Sequence, residues 1–200
     1  MVESQTEISV EGLRAGERGE FARLVDAYSG QLYRLALKMT GNPSDAEDVL
    51  QNTFLKAFQH IRTFEGRSSL STWLYRIASN EALMLLRKRR PEVAFSEMAP
   101  EQEDQEEYEP AALADWCCLP EEELLSAEGR IALDRAVQRL AATLRIVFVL
   151  RDIEGLSIQE TSQALGLSET AVKTRLLRAR LRLREELSGY YAERLKKEQE

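Results

Sequence analysis

Two hundred residues with a net charge of −7, of which 44% are hydrophobic and 30% charged, describe a globular chain with room for one domain or two small ones. Apolar runs such as Ile146 to Leu150 fall far short of the roughly 20 residues a membrane helix needs, and the polar, acidic start is no secretory leader, so a cytoplasmic protein without membrane insertion is expected. The adjacent pair Cys117 and Cys118 cannot staple distant segments, and with His60 as the single histidine a structural zinc site lacks ligands, so neither a metal nor a cofactor is expected.

The net charge conceals an uneven distribution. Between Pro91 and Glu128 stand 13 Asp and Glu and no Lys or Arg, which leaves the rest of the chain at +6. The order is basic, acidic, basic, and the basic parts suit a polyanionic partner.

The first predicted helix carries Phe21, Leu24, Val25, Tyr28, Leu32, Leu35, Ala36 and Met39 at helical spacing and stops at Gly41. Ser44-Asp45-Ala46-Glu47 has the spacing of a capping box and predicts the start of a second helix. Its apolar stripe is Ala46, Val49, Leu50, Thr53, Phe54, Ala57, Phe58 and Ile61, leaving Asp45, Asp48, Gln51, Asn52, Lys56 and Gln59 on other faces. Thr63 to Ser69 reads as a loop. A third helix follows through Leu70, Trp73, Leu74, Ile77, Ala78 and Leu85, and runs into Arg87-Lys88-Arg89-Arg90 before Pro91, cations at a helix C-terminus being favourable.

Residues 91–120 contain four prolines and the acidic run Glu101 to Glu109, too little apolar surface to fold alone, and read as a flexible linker. Within it Cys117 and Cys118 read as incidental reduced thiols, with a redox switch as the alternative. From about Glu121 helical spacing resumes, with Leu133, Val137, Leu140, Leu144, Val147, Phe148 and Leu150 as core. No alternation of the β type is present, so the fold expected is all-α.

The most informative stretch runs from Leu156 to Leu176. Ser157 can cap a short helix with Ile158, Thr161 and Leu165 turned inward, Gly166 permits a sharp turn, and Ser168 can cap the next helix. Two helices across a glycine turn form a helix-turn-helix, whose second helix can enter a major groove. On that helix Val172, Leu176, Ala179 and Leu183 share one face. Between Lys173 and Arg184 six basic residues occur with no acid, as a helix lying against phosphates requires. Thr170, Lys173 and Thr174 near its start are placed for base edges, Arg175 and Arg178 for phosphates, with Ser168 and Arg182 completing the expected duplex contact.

In the first segment Trp73 and Tyr75 flank Leu74 beside a loop, on a helix that also carries Asn80 and a basic end. Aromatic rings amid positive charge suit single-stranded nucleic acid, although helical spacing with Leu70 and Ile77 favours Trp73 as a core residue.

In three stretches the sequence resembles the extracytoplasmic-function (ECF, group IV) sigma factors of bacterial RNA polymerase, in the sigma-70 family. These are Asp45 to Phe58, then Phe64-Glu65-Gly66 through Ser71-Thr72-Trp73-Leu74-Tyr75-Arg76-Ile77-Ala78-Ser79-Asn80, and the helix-turn-helix with the preceding Leu150-Arg151-Asp152-Ile153-Glu154-Gly155. The resemblance implies two small helical domains, sigma region 2 over 1–90 and sigma region 4 over 121–200, joined by the acidic linker, and a protein that catalyses nothing itself. It implies that Asp45, Asp48, Gln51, Asn52 and Lys56 meet the clamp helices of the polymerase β′ subunit. It implies that Phe64, Arg67, Ser68, Ser69, Trp73, Arg76, Asn80, Arg87 and Arg89 open and hold the −10 element, and that the helix-turn-helix reads the −35 element while leaning on the β flap. An anti-sigma factor is the implied regulator, and the linker is either an occupant of the polymerase's basic channels or a solvated tether. Ala141 and Thr161 depart from the family pattern, which has proline and an aliphatic residue at those places.

Two other readings compete. A one-component transcription regulator would use only the helix-turn-helix and bind its operator without polymerase. A metal-dependent nuclease would need Asp45, Glu47 and Asp48 to converge, whereas neighbouring helix positions diverge, and no P-loop, nucleophile motif or histidine pair is present.

Overall fold

The computed structural model describes residues 8–89 and 127–197, with side chains in the second stretch described from Glu128 to Ser188. The segment read as a linker, with Cys117 and Cys118, lies outside the described residues, as does Arg90. Every regular element described is helical. In the N-terminal half, α1 spans Val10–Ala15, α2 Arg18–Thr40, α3 Pro43–His60 followed by a 3-10 turn Ile61–Thr63, and α4 Leu70–Arg89. In the C-terminal half, α5 spans Ala127–Arg139, α6 Ala142–Phe148 with a π-helical turn Val149–Ile153 wound onto its end, α7 Ile158–Leu165 and α8 Glu169–Lys197. The expected all-α architecture of two small helical groups is the one found.

Helices α2, α3 and α4 pack on one another around Leu24, Leu32, Leu35, Met39, Val49 and Leu74, each almost wholly shielded from solvent. A buried aliphatic side chain of this size stabilises the fold by about 1.5–3 kcal/mol. Helix α2 ends where the sequence indicated: Gly41 adopts φ 68° and its N–H donates to Leu37 O at 2.8 Å. The start of α3 differs from expectation. The cap is Asn42, whose side-chain oxygen accepts from Asp45 N at 3.2 Å, and Pro43 occupies the first turn, where a missing N–H removes nothing. The helix therefore begins earlier than Ser44, and Ser44 and Glu47 stand exposed rather than forming a capping box.

Short helix α1 has no counterpart in the sequence reading. Ser9 caps it by accepting from Gly12 N at 3.1 Å, the Ser9 N–H donates to the buried Glu20 carboxylate at 3.0 Å, and the Arg14 guanidinium donates to Phe64 O. Residues far apart in sequence thus fix the loop after α3.

The second core is formed by Val137, Ile146, Val147, Val149, Leu150 and Val172, on α5, α6 with its π turn, and α8. Leu133, expected in this core, is 40% exposed: it shares a face of α5 with Ala136 and Val137, which Leu140 continues, but the buried side chains on that face begin only at Ala136, nearer the C-terminal end of the helix. Thr161, the polar departure in α7, is fully buried and satisfied: its hydroxyl donates to Ser157 O at 2.9 Å. Ala141 sits at the N-cap of α6, where it offers no side-chain hydrogen bond.

Candidate nucleic-acid interface

On the N-terminal half, the loop after the 3-10 turn and the first turns of α4 line a cavity of about 420 Å³ that includes Thr63, Phe64, Arg67, Ser68, Trp73 and Arg76. A second, of about 450 Å³, continues along α4 past Trp73, Arg76, Asn80, Met84 and Arg87, with Lys56 and His60 contributed by α3. Trp73 and Arg76 belong to both, so the two cavities form one groove with an aromatic ring and a cation at its waist. Trp73 is half-buried, and its ring meets that of Phe64 with centroids 5.3 Å apart at a 46° tilt. The alternatives of core residue and stacking platform are therefore not exclusive: one part of the indole packs and the rest lines the groove.

Most of the residues expected along the −10 element come together here, but four are wholly or partly held by other contacts. Phe64 is 6% exposed and acts as wall more than contact. Ser69 Oγ accepts from Thr72 N at 3.1 Å and exchanges hydrogen bonds with Ser71 and Thr72, holding the start of α4. Arg89 turns across to Asp45 and pairs with both carboxylate oxygens. Arg67 is exposed and paired with Glu65. Gln163, which sequence reasoning did not connect with this site, reaches the first cavity from α7 in the other half of the molecule. No local pattern could have shown that.

The helix-turn-helix is formed as the sequence indicated, with one addition. Ser157 accepts from Glu160 N at 3.1 Å, and Glu160 in return accepts from Ser157 N at 2.8 Å, a complete capping box. These hydrogen bonds, helped by the nearby Arg151 charge, hold the Glu160 carboxyl below its ordinary range. Gly166 takes φ 66°, and Ser168 caps α8 by accepting from Ala171 N at 3.1 Å. Val172, Leu176, Ala179 and Leu183 are buried as one stripe. Thr170, Lys173, Thr174 and Arg182 are exposed on the outer surface of α8, and Arg175 and Arg178 are half-buried beside them. Arg180 is tied back to Asp152 by two hydrogen bonds of 2.9 and 2.7 Å, so it braces the helix-turn-helix against the π turn. Its pKa is raised by the same hydrogen bonds.

The outer face of α3 carries the residues expected to meet polymerase, with a correction. Asp48, Gln51 and Asn52 are exposed along it, but Asp45 is buried against Arg89 and offers that face almost nothing. Lys56 turns toward α4, where it pairs with Glu81 at 2.5 Å. In their place stand Leu55 and Phe58, 55% and 56% exposed. Phe58 was expected in the apolar stripe; instead it leans its ring edge-on against Phe21, 5.2 Å away, and leaves most of itself in solvent. Large apolar side chains left out in this way among polar ones are typical of a surface that meets another protein.

A groove suited to unpaired bases and a helix-turn-helix suited to duplex, in one small helical chain with an exposed apolar and polar face, define the class of a DNA-binding partner subunit. Known proteins narrow this. The family description "Sigma-70 region 2" matches residues 24–92, and "Sigma-70, region 4" matches residues 130–183. The chain is 33% identical to the ECF RNA polymerase sigma factor SigW of Bacillus subtilis over 89% of this chain and 94% of that one, and 32% identical to the ECF RNA polymerase sigma-E factor of Haemophilus influenzae over 86% and 89%. Among solved structures it is similar to CnrH in complex with the cytosolic domain of CnrY, with a TM-score of 0.64 and 26% identity over 90% of this chain and 95% of that one. It is also similar to the sigma factor RpoE in complex with the anti-sigma factor NepR from Bartonella quintana, with a TM-score of 0.59 and 27% identity over 84% and 96%. The chain belongs to the ECF sigma factors of the sigma-70 family.

Proposed function

We propose that this protein directs bacterial RNA polymerase to particular promoters by dividing recognition between its halves, residues 1–90 opening and holding the −10 element and residues 121–200 reading the −35 element as duplex. The observation that carries this reading is the pairing, in one chain, of the Trp73–Arg76 groove with the cationic outer face of α8. Drawing a base out of a duplex costs a few kcal/mol. Stacking on an aromatic ring returns about 1–3 kcal/mol per base, and Arg76 and Arg87 stand where the strand's phosphates would run. No ATP is needed, and the reading gives the chain no catalytic step of its own.

On α8, Thr170, Lys173 and Thr174 address base edges and Arg175, Arg178 and Arg182 address phosphates, with Ser168 presenting the helix start. Asp48, Gln51 and Asn52, joined by Leu55 and Phe58, form the face offered to the β′ clamp helices, and the C-terminal half leans on the β flap. Two structural relatives are complexes with another chain, one of them a named anti-sigma factor, which supports an anti-sigma factor as the regulator of this one. Among the described residues no helix is long and apolar enough to cross a membrane, which fits a protein working beside polymerase in the cytoplasm.

Run-off transcription with core polymerase and a promoter library randomised at both elements tests the reading. Transcripts that require this protein and share two motifs at fixed spacing are expected. Tight operator binding by the protein alone, with no transcription, would replace it by a one-component regulator.

A further inference from the structure

Residues four apart on a helix stand above one another on one face. On α3 this rule puts Lys56 and His60 together, and both line the groove that runs along α4 from Trp73 to Arg87. Over that stretch α4 advances about 21 Å, at about 1.5 Å per residue, which is room for several nucleotides of an extended strand. Consecutive residues of a helix point about 100° apart, so Leu55 can stand on the outer face of α3 while Lys56, the next residue, turns to α4.

The charges in this part of the groove are uneven. Lys56, Arg76 and Arg87 are cations, and among the described residues that line it Glu81 is the one acid. The Glu81 side chain is 12% exposed, and the Lys56 ammonium donates to its Oε1 at 2.5 Å. A carboxylate facing a polyanion repels it, so an acid placed here weakens the groove for DNA unless it is neutralised. Lys56 neutralises it. The ammonium has three donors on a flexible stem and can keep Glu81 with one of them while another reaches a phosphate oxygen. With its side chain 42% exposed, Lys56 is open to such a partner.

We propose that Lys56 is a contact to the unpaired strand rather than to polymerase, supplied by α3 as the second wall of the −10 groove, and that Glu81 is the counter-charge that turns its ammonium into the groove. The identity of the strand rests on the promoter function proposed above; the assignment of Lys56 rests on the groove. Without DNA, Glu81 has Lys56 to itself. When a strand enters, a phosphate shares the ammonium, and the acid that stays beside it limits the grip on strands that the groove holds by charge alone.

The test is the affinity of the full chain on core polymerase for a labelled single-stranded oligothymidylate, measured across a salt series with core polymerase alone as the blank. Lys56→Gln removes a phosphate contact and uncovers Glu81, and should weaken binding about tenfold and flatten the slope of log affinity against log salt by about 0.7. Glu81→Gln should tighten binding about threefold, the double variant should fall between the two, and Lys56→Arg should bind as the wild type does. Titration of core polymerase with the Lys56→Gln chain should give the wild-type affinity. A Lys56→Gln chain that keeps its strand affinity and loses affinity for core overturns the assignment and returns Lys56 to the polymerase face. Weakening by Glu81→Gln overturns it as well, because a pair that only braces α3 against α4 would lose binding from either side. Run-off transcription separates this assignment from the promoter reading. Strand affinities that shift as expected in a chain that never supports promoter-dependent transcripts remove the promoter reading alone, whereas transcripts that require the chain, with strand affinity indifferent to Lys56 and Glu81, remove this assignment alone.

Discussion

The groove on α4 and the helix-turn-helix of α7 and α8 are built in opposite ways. The helix-turn-helix is continuous in sequence: Ser157, Glu160, Gly166 and Ser168 set its caps and turn, and the residues offered to DNA follow within the next turns of α8. The groove is discontinuous. It takes Lys56 and His60 from α3, Phe64 and Arg67 from a loop that Arg14 of α1 holds by its carbonyl, and Trp73 to Arg87 from α4. A site carried by local caps should survive damage to distant packing, and a site assembled from three elements should not.

The sharpest way to break that comparison is Leu74→Ala, which empties a fully buried position behind Trp73. A loss of about 2–5 kcal/mol is expected in urea unfolding of the N-terminal half, with promoter opening abolished and binding of upstream duplex retained. Next comes Trp73→Ala, which should lower promoter opening about 10- to 100-fold, followed by the reactivity of unpaired thymines, while Trp73→Phe keeps most of it. On the other half, Lys173→Ala should relax the preference at one base pair by about 1–3 kcal/mol. By contrast, Arg178→Ala should weaken all sequences alike and flatten the slope of log affinity against log salt by about 1. Titration of binding at several salt concentrations separates the two.

Ser157→Ala removes the cap of α7 at a cost of about 1 kcal/mol, visible in thermal unfolding. The smallest effect is a pH dependence. Because Glu160 is held below its ordinary carboxyl value of 4.5, the stability it lends is present above that value and is lost as pH falls through the lower folded one. Glu160→Gln should therefore flatten the acid limb of the unfolding curve.

What the sequence showed and what it concealed follow the same division. Gly41, Gly166, Ser157 and Ser168 act through neighbours a few residues away, and their roles were legible. The displaced start of α3 was a near miss, since Asn42-Pro43 and Ser44-Asp45 both offer plausible helix starts and the proline decides between them. Asp45 and Phe58 could not be placed, because helical periodicity gives a face and not its neighbour: Asp45 is covered by Arg89 from α4, while Phe58 lies beyond the edge of the core. Arg145 and Glu154 gave no signal, and Tyr75, read with Trp73 as a ring for unpaired bases, is instead 4% exposed and donates to Glu154. The buried arginine depends on a carbonyl 106 residues away, and the buried tyrosine on a carboxylate 79 residues away.

The π-helical turn at Val149–Ile153 carries one further consequence. It is closed by the hydrogen bond from Glu154 N to Val149 O at 2.9 Å, a span one residue wider than an α-helical turn. Each residue of an α-helix advances the chain by about 100°, and the wider turn takes in one residue more while carrying the chain through nearly the same rotation. Deleting one residue here would therefore close the turn to α winding and leave α7 and α8 facing much as they do. The turn works as a slack link, which holds a spare residue without moving the reading helix.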